Sequence, residues 1–285
     1  MSGEAEFISQ LRAIASTPGA RGLDDDCAVL RFGSETLVLT HDMVVEGTHF
    51  RADADMADVA WKLVTVNLSD LAAKGAEPVG VLLGYSLGAD EARFLEGLRQ
   101  VLEAYRVPLL GGDTVRAQGP RSFGLTAIGR ASHDPVPDRR GAQPGDTVYV
   151  TGTLGRAMLG FEGNPAHRVA YDRPVPLLGE GKALAPLVTA MMDISDGLLL
   201  DCWRLAQASE VSIALERALI PVAEPARADD CMRWGDDYQL LFTLPAGTAP
   251  PLSASRIGKV GERGAGALLL DGQLLTPVDG LGYQH

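Results

Sequence analysis

The chain is poor in the residues that announce several common protein classes. Three of its 285 residues are cysteine (Cys27, Cys202, Cys231), an odd count with no two at metal-site spacing. That argues against a disulfide framework and fits a reducing compartment. No run of 18 or more apolar residues occurs, so no transmembrane helix is expected. Glu4 and Glu6 stand where a secretory signal carries basic residues, so no signal peptide is expected and the expected location is cytoplasmic. Positive charge is scarce too. Lys and Arg number 25 against 37 Asp and Glu, giving a net charge of −12 and a pI near 4.8. Nucleic acid and anionic membranes are therefore not expected partners. A phosphate ligand would meet a field of its own sign, and divalent cations would neutralise it.

Common nucleotide signatures are missing as well. The phosphate-loop pattern fails at Gly181-Lys182, which is followed by Ala183 and has Pro176 where the first glycine belongs. No Gly-x-Gly-x-x-Gly joins a strand to a helix, and no protein-kinase signature set occurs. The five histidines show no zinc spacing, and Ser195 has no histidine nearby in sequence, so hydrolase chemistry has no support.

What is present is ordinary globular material: 46% hydrophobic residues, 22% charged and a mean hydropathy of +0.06. The length suits two domains. Apolar periodicity predicts strands at 36–41, 79–87, 107–110 and 122–130, and helices at 55–75 and 90–105. A Pro-, Arg- and Gly-rich stretch, 133–145, reads as a linker, dividing the chain into domains 1–138 and 139–285. After it come strands at 146–151, 211–215, 238–244 and 256–261, and a strand–turn–helix unit over 191–208. The expected fold class is α/β (α+β).

The chemistry lies in carboxylates set in turns beside apolar runs. Asp24-Asp25-Asp26 precedes Cys27-Ala28-Val29-Leu30; it is either a solvated acidic turn or a site for a hard divalent cation. Thr40-His41-Asp42 ends an apolar strand. Asn67, Asp70 and Lys74 share one face of a helix that is apolar almost all round, so the helix should be buried and its Asp should need a cation or donors. Gly111-Gly112-Asp113-Thr114 is expected to follow a strand as a turn that admits a ligand closely, or as a turn alone. Asp193-Ile194-Ser195-Asp196-Gly197 is the sharpest signal. Ser195 reads as a helix N-cap and Asp196 as a first-turn charge, but that leaves Asp193 unexplained. Carboxylates beside a helix N-terminus suit a phosphate–magnesium complex.

Taken in order over nearly the whole chain, these motifs closely resemble the thiamine-monophosphate kinase family. They are Asp25-Asp26-Cys27-Ala28, Thr40-His41-Asp42 through Glu46-Gly47-Thr48-His49-Phe50, Asn67-Leu68-Ser69-Asp70, Gly111-Gly112-Asp113-Thr114, Arg139 through Gly145-Asp146, Asp193 to Gly197, and Asp237-Tyr238-Gln239-Leu240-Leu241. The resemblance implies a two-domain aminoimidazole ribonucleotide synthetase-like fold. Its N-terminal mixed sheet would pair two copies into a homodimer, and its C-terminal α/β domain would complete an ATP cleft. It implies that Asp25, Thr40, His41, Asp42, Asp70, Asp113, Asp193 and Asp196 hold several Mg²⁺ ions. It also implies that Gly112, Arg139 and Ser195 meet ATP, and that His49, Asp236 and Tyr283 meet thiamine monophosphate. The chain departs from the family at several points: Asp24 stands where the first acidic turn usually has Gly, the segment between Ala208 and Trp234 is short, and Gly-Gly-Glu-Asp-Tyr is here Trp234-Gly235-Asp236-Asp237-Tyr238. The alternatives are another ATP-using enzyme of the same fold with a different acceptor, and a non-catalytic nucleotide-binding relative.

Overall fold

The structure, a computed structural model, describes residues 3–264 and 266–283. Helix α1 (Gly3–Arg12) leads into a hairpin of β1 (Ala28–Phe32) and β2 (Glu35–Val45). Then follow α2 (Met56–Ala73), β3 (Ala76–Ser86), α3 (Glu91–Tyr105), β4 (Leu109–Val115) and β5 (Ser122–Ala131). These five strands form one mixed sheet in the order β1-β2-β5-β3-β4; β3 and β4 run parallel and the other pairs antiparallel. The parallel pair is the one joined through a helix, α3, as the length of a parallel crossover demands.

The rest of the chain builds a second sheet. It contains β6 (Thr147–Val150), α4 (Arg156–Phe161), α5 (Arg168–Asp172), α6 (Leu178–Leu184), β7 (Ala190–Asp193), α7 (Leu198–Ala208) and β8 (Ser212–Leu215). It continues with α8 (Ala228–Arg233), β9 (Leu240–Leu244), β10 (Ser255–Gly261), β11 (Leu268–Leu270) and β12 (Gln273–Leu275). Seven strands pair in the order β12-β11-β8-β10-β6-β9-β7, with only β11 and β8 parallel. The mixed α/β class expected from the sequence is observed. Residues 132–146 connect the two sheets and contain the expected linker.

Two expectations shift. The strand expected at 107–110 is β4, which takes Gly111-Gly112-Asp113-Thr114 into the strand instead of leaving it as a turn. The glycine pair misleads because it serves close approach: a Cβ on Gly112 would lie 1.9 Å from the Leu83 carbonyl oxygen of β3. Helix α7 begins at Leu198 with Gly197 as its cap residue, two positions after Ser195. Gly197 has φ of +114°, and a Cβ there would meet the Arg233 carbonyl oxygen at 2.7 Å. The sequence reading also passed over α1, β1, α5, α6, α8, β11 and β12; the last two are three residues each.

Helix α2 is the buried helix its composition predicts. From Met56 to Ala73 every residue is buried except Asp58 and Trp61. It packs against α3, against β2, β3 and β5, and against α6 and β7, so it has almost no solvent face to offer its polar residues. Lys74 follows at its C-cap, also fully buried. Its ammonium bonds Asp25 Oδ1 at 2.6 Å and the Met191 carbonyl at 3.2 Å, and ion-pairs with Asp26 at 2.8 Å. Arg21 ion-pairs with Asp25 from the other side and donates to the carbonyls of Val136 (3.0 Å) and Pro137 (2.7 Å). Removing one partner of such a pair strands the other charge away from water. Lys74→Met is therefore expected to lower unfolding free energy by about 3–5 kcal/mol, measured by urea titration; a loss under about 1 kcal/mol would contradict the network.

Candidate active site

Three carboxylates converge where α2 passes between the sheets. Asp26 comes from the segment before β1, Asp70 from α2 and Asp193 from the end of β7. One oxygen of each lies within 4.8 Å of the others. Asp70 accepts from the Thr40 hydroxyl on β2, and Ser69 Oγ donates to Asp193 Oδ2 at 2.5 Å. Thr40 and Asp42 share the inner face of β2 because strand residues alternate, and Asn67 Oδ1 accepts from the Asp42 amide at 2.9 Å.

The charges are unevenly neutralised. Burial would raise the Asp26 carboxyl, yet Arg139 and Lys74 together hold it at about 2. Asp70 and Asp193 lack such cations. Burial, then the repulsion of neighbouring carboxylates, pushes Asp70 well above its usual range and Asp193 to about 8. Burial and the charges of Asp26 and Asp196 raise Asp42 to about 6. Buried like charges at this spacing are costly unless something positive sits among them. All the donors are hard oxygens, so the set fits a divalent cation of the magnesium type.

Beside this cluster opens a cleft of about 640 Å³, and Asp42, His49, Ser195, Asp196, Asp236 and Tyr283 all line it. Its far wall is tied together through the backbone. The Asp236 amide donates to the Ser195 carbonyl and that of Tyr238 to the Ile194 carbonyl, both at 2.8 Å, and the Tyr283 amide to the Asp196 carbonyl at 2.9 Å. Asp236 accepts from Lys62 at 2.6 Å and from the Tyr238 hydroxyl at 2.9 Å. His49 Nδ1 accepts from the Val45 amide at 3.0 Å, which leaves the ring proton on Nε2. Asp196 is paired with Arg204. Arg139 reaches Asp26, and its Nε is buried with no hydrogen-bond partner among the described residues.

The structure thus gathers Thr40, Asp42, Asp70, Asp193, Asp196, Arg139, Ser195, His49, Asp236 and Tyr283 around one cluster and cleft. Asp25, His41, Gly112 and Asp113 are placed otherwise. Asp25 has a fully buried side chain closed in by Lys74 and Arg21. His41 is exposed on the opposite face of β2, bonded to Thr126 Oγ1 at 2.9 Å. Gly112 and Asp113 sit exposed on the edge strand β4. Asp42 pairs with Leu125, Leu125 with Leu83, and Leu83 with Gly112. The edge is therefore three strand spacings from Asp42, about 14 Å.

Sequence reading missed Asp26 as the clustered member of its acidic run, and it missed Lys62 and Asp201. A lysine inside an all-apolar helix was the available sign for Lys62. Asp201 is buried in the first turn of α7, where it accepts from the Asp196 amide at 3.1 Å and from Arg204 at 3.1 Å; burial raises its carboxyl to about 7. No feature of its sequence neighbourhood marks it.

The fold and the carboxylate cluster define a class. Residues 24–131 match the family described as AIR synthase related protein, N-terminal domain. Within that class the relatives agree. The thiamine-monophosphate kinase of Escherichia coli K12 is 36% identical over 249 residues, covering 79% of this chain and 76% of that protein. That of Salmonella typhimurium is 34% identical over 287 residues, covering 92% and 86%. A solved structure described as AaThiL complexed with AMPPCP and TMP superposes with a TM-score of 0.88 at 29% identity, covering 96% of this chain and 95% of that one. The chain belongs to the thiamine-monophosphate kinase family.

Neighbouring carboxylates in one acidic run should separate by experiment. Asp26→Asn is expected to lower kcat by at least about 10²-fold, as for loss of one electrostatic stabiliser, and also to cost stability, because Lys74 and Arg139 each lose a buried partner. Asp25→Asn is expected to destabilise the fold by about 1–3 kcal/mol with a much smaller loss of kcat, since Asp25 lies outside the three-carboxylate cluster. Equal kinetic losses in the two variants would contradict the division.

Proposed function

We propose that this chain transfers the γ-phosphoryl group of ATP to the phosphate of thiamine monophosphate, producing thiamine diphosphate and ADP. The observation that carries the reading is the adjacency of two unlike halves. A buried cluster of hard oxygen donors lies next to Asp42, which itself lines a cleft with aromatic and hydrogen-bonding walls, large enough for a small organic phosphate.

In this reading Asp26, Thr40, Asp42, Asp70, Asp193 and Asp196 hold Mg²⁺, several ions in all, and Arg139 and Ser195 bind the phosphates of ATP. When bound, the metal neutralises the charge of two mutually repelling anions. The protein's part is positioning. Arg139 offers its buried guanidinium to a phosphate oxygen, and the bonded turns at Ser195 and Asp236 fix one wall of the cleft. An oxygen of the acceptor phosphate attacks the γ-phosphorus in line as the bond to the β-phosphate oxygen breaks, and no side-chain nucleophile is required. His49, Asp236 and Tyr283 hold the acceptor. ADP release from ATP plus thiamine monophosphate, against ATP alone, tests the reading. EDTA is expected to abolish turnover and excess Mg²⁺ to restore it; full activity in EDTA, or ADP release independent of the acceptor, would sink it.

The proposal extends to a homodimer. The outer face of the five-stranded sheet exposes Leu30, Met43, Leu82 and Leu110, an apolar surface without cover in one copy. The edge strand β4 lies beside it, carrying Asp113. A second copy laid on this face would cover the apolar side chains and bring Gly112 and Asp113 toward the other copy's cluster. Asp113→Asn and Asp70→Asn are each expected to be inactive alone. Mixed and allowed to exchange subunits, they should recover up to about a quarter of wild-type activity, because one site in the mixed dimer is intact. Light scattering at the monomer mass of 30.1 kDa, or no recovery on mixing, would overturn the shared site. The cytoplasm is the compartment proposed; among the described residues no helix is long and apolar enough to cross a membrane.

A further inference from the structure

The cleft holds an aromatic side chain to which the phosphoryl transfer assigns no part. Trp234 closes α8, and its indole tilts against Phe161, the last residue of α4, with ring centroids 5.1 Å apart at 41°. Phe161 in turn meets Tyr171 of α5 edge-on at 5.3 Å. Tyr171 is already occupied. It is buried, its ring face is covered by the Lys62 ammonium 3.9 Å from the centroid, and its hydroxyl donates to the His49 carbonyl at 3.1 Å. Trp234 keeps 36% of its surface exposed and lines the cleft. The other two tryptophans, Trp61 and Trp203, are partly buried against the hydrophobic cores.

We infer that Trp234 is the stacking platform for an aromatic ring of the phosphoryl acceptor, set so that Asp236 meets the edge of the same ring. This rests on the acceptor being thiamine monophosphate, whose aminopyrimidine offers an aromatic face and an exocyclic amino donor. Two observations support it. First, the platform is rigid. Gly235 (φ +88°) and Asp236 (φ +58°) both take left-handed backbone, and a Cβ on Gly235 would meet the Ser195 carbonyl oxygen at 2.3 Å. A turn held in so restricted a conformation keeps both flanking side chains in the cleft. Second, Asp236 has capacity left. A carboxylate has about four acceptor positions, and Lys62 and the Tyr238 hydroxyl take two of them.

The test separates ring from phosphate. Thiamine, thiamine monophosphate and inorganic phosphate are each titrated against the whole protein while tryptophan emission is followed. The first two are expected to quench wild-type emission and inorganic phosphate is not. The quench should vanish in Trp234→Phe, which keeps Trp61 and Trp203. In steady state Trp234→Ala is expected to raise KM for thiamine monophosphate about tenfold or more, from loss of one stacked ring, without a matching rise in KM for ATP. Trp234→Phe should recover most of that loss. Quenching that persists in Trp234→Phe, or a KM for thiamine monophosphate unchanged in a folded Trp234→Ala, overturns the assignment. Should Trp234→Ala fail to fold, the emission of Trp234→Phe decides. Quenching by thiamine without ADP release would remove the kinase reading and leave the platform; ADP release with no quench would do the opposite.

Discussion

Helix α2 has almost no solvent face, and the site follows from that constraint. A buried polar side chain without a partner costs more than the packing around it returns; on α2 Thr65 bonds back to the Trp61 and Lys62 carbonyls of its own helix, and five others are met by other segments. Lys62 meets Asp236, Asn67 the Asp42 amide, Ser69 Asp193, Asp70 the Thr40 hydroxyl, and Lys74 the Asp25 and Asp26 carboxylates. Five polar residues on one helix thereby fix the loop before β1, the inner face of β2, the end of β7 and the turn before β9. Those four segments carry the cluster and much of the cleft wall. The same bonds that satisfy the helix position the chemistry.

The electrostatics divide the cluster into two halves. On one side Lys74, Arg21 and Arg139 neutralise Asp25 and Asp26, which anchors the N-terminal segment and the connection between the sheets to the helix. On the other, Asp70 and Asp193 have hydroxyl donors and no cation, and their carboxyls are pushed up. A fold selected for stability alone would not bury two such groups together; local rules are broken where function requires it. The paired half holds the site's shape, and the unpaired half is where the proposed cation would sit.

Much of this was legible in the sequence. The all-round apolar character of 55–75 predicted a buried helix, which is observed, and the carboxylates beside apolar runs marked out Asp70 and Asp193, which the structure brings together. The ordered motifs pointed to the family. The strand at the glycine pair was misread because glycine serves tight turns and close strand packing equally, and only the distance to the Leu83 carbonyl tells them apart.

The sequence by itself determined the inventory: which carboxylates, which buried helix, which turns, and a mixed α/β chain. Only the tertiary structure decided which of them meet. Asp25 and Asp26 are adjacent in sequence, but one is enclosed by Lys74 and Arg21 while the other also joins Asp70 and Asp193. Thr40 and His41 part in the same way, to opposite faces of β2. Asp113 reads like the other acidic motifs but lies three strands from Asp42. The reason is common to all three. Pairing depends on which face a side chain takes and which distant segment packs there. Strand alternation, sheet order and the closure of the second sheet over α2 set those, and they exist only once segments separated by up to 174 residues, as Lys62 and Asp236 are, have come together.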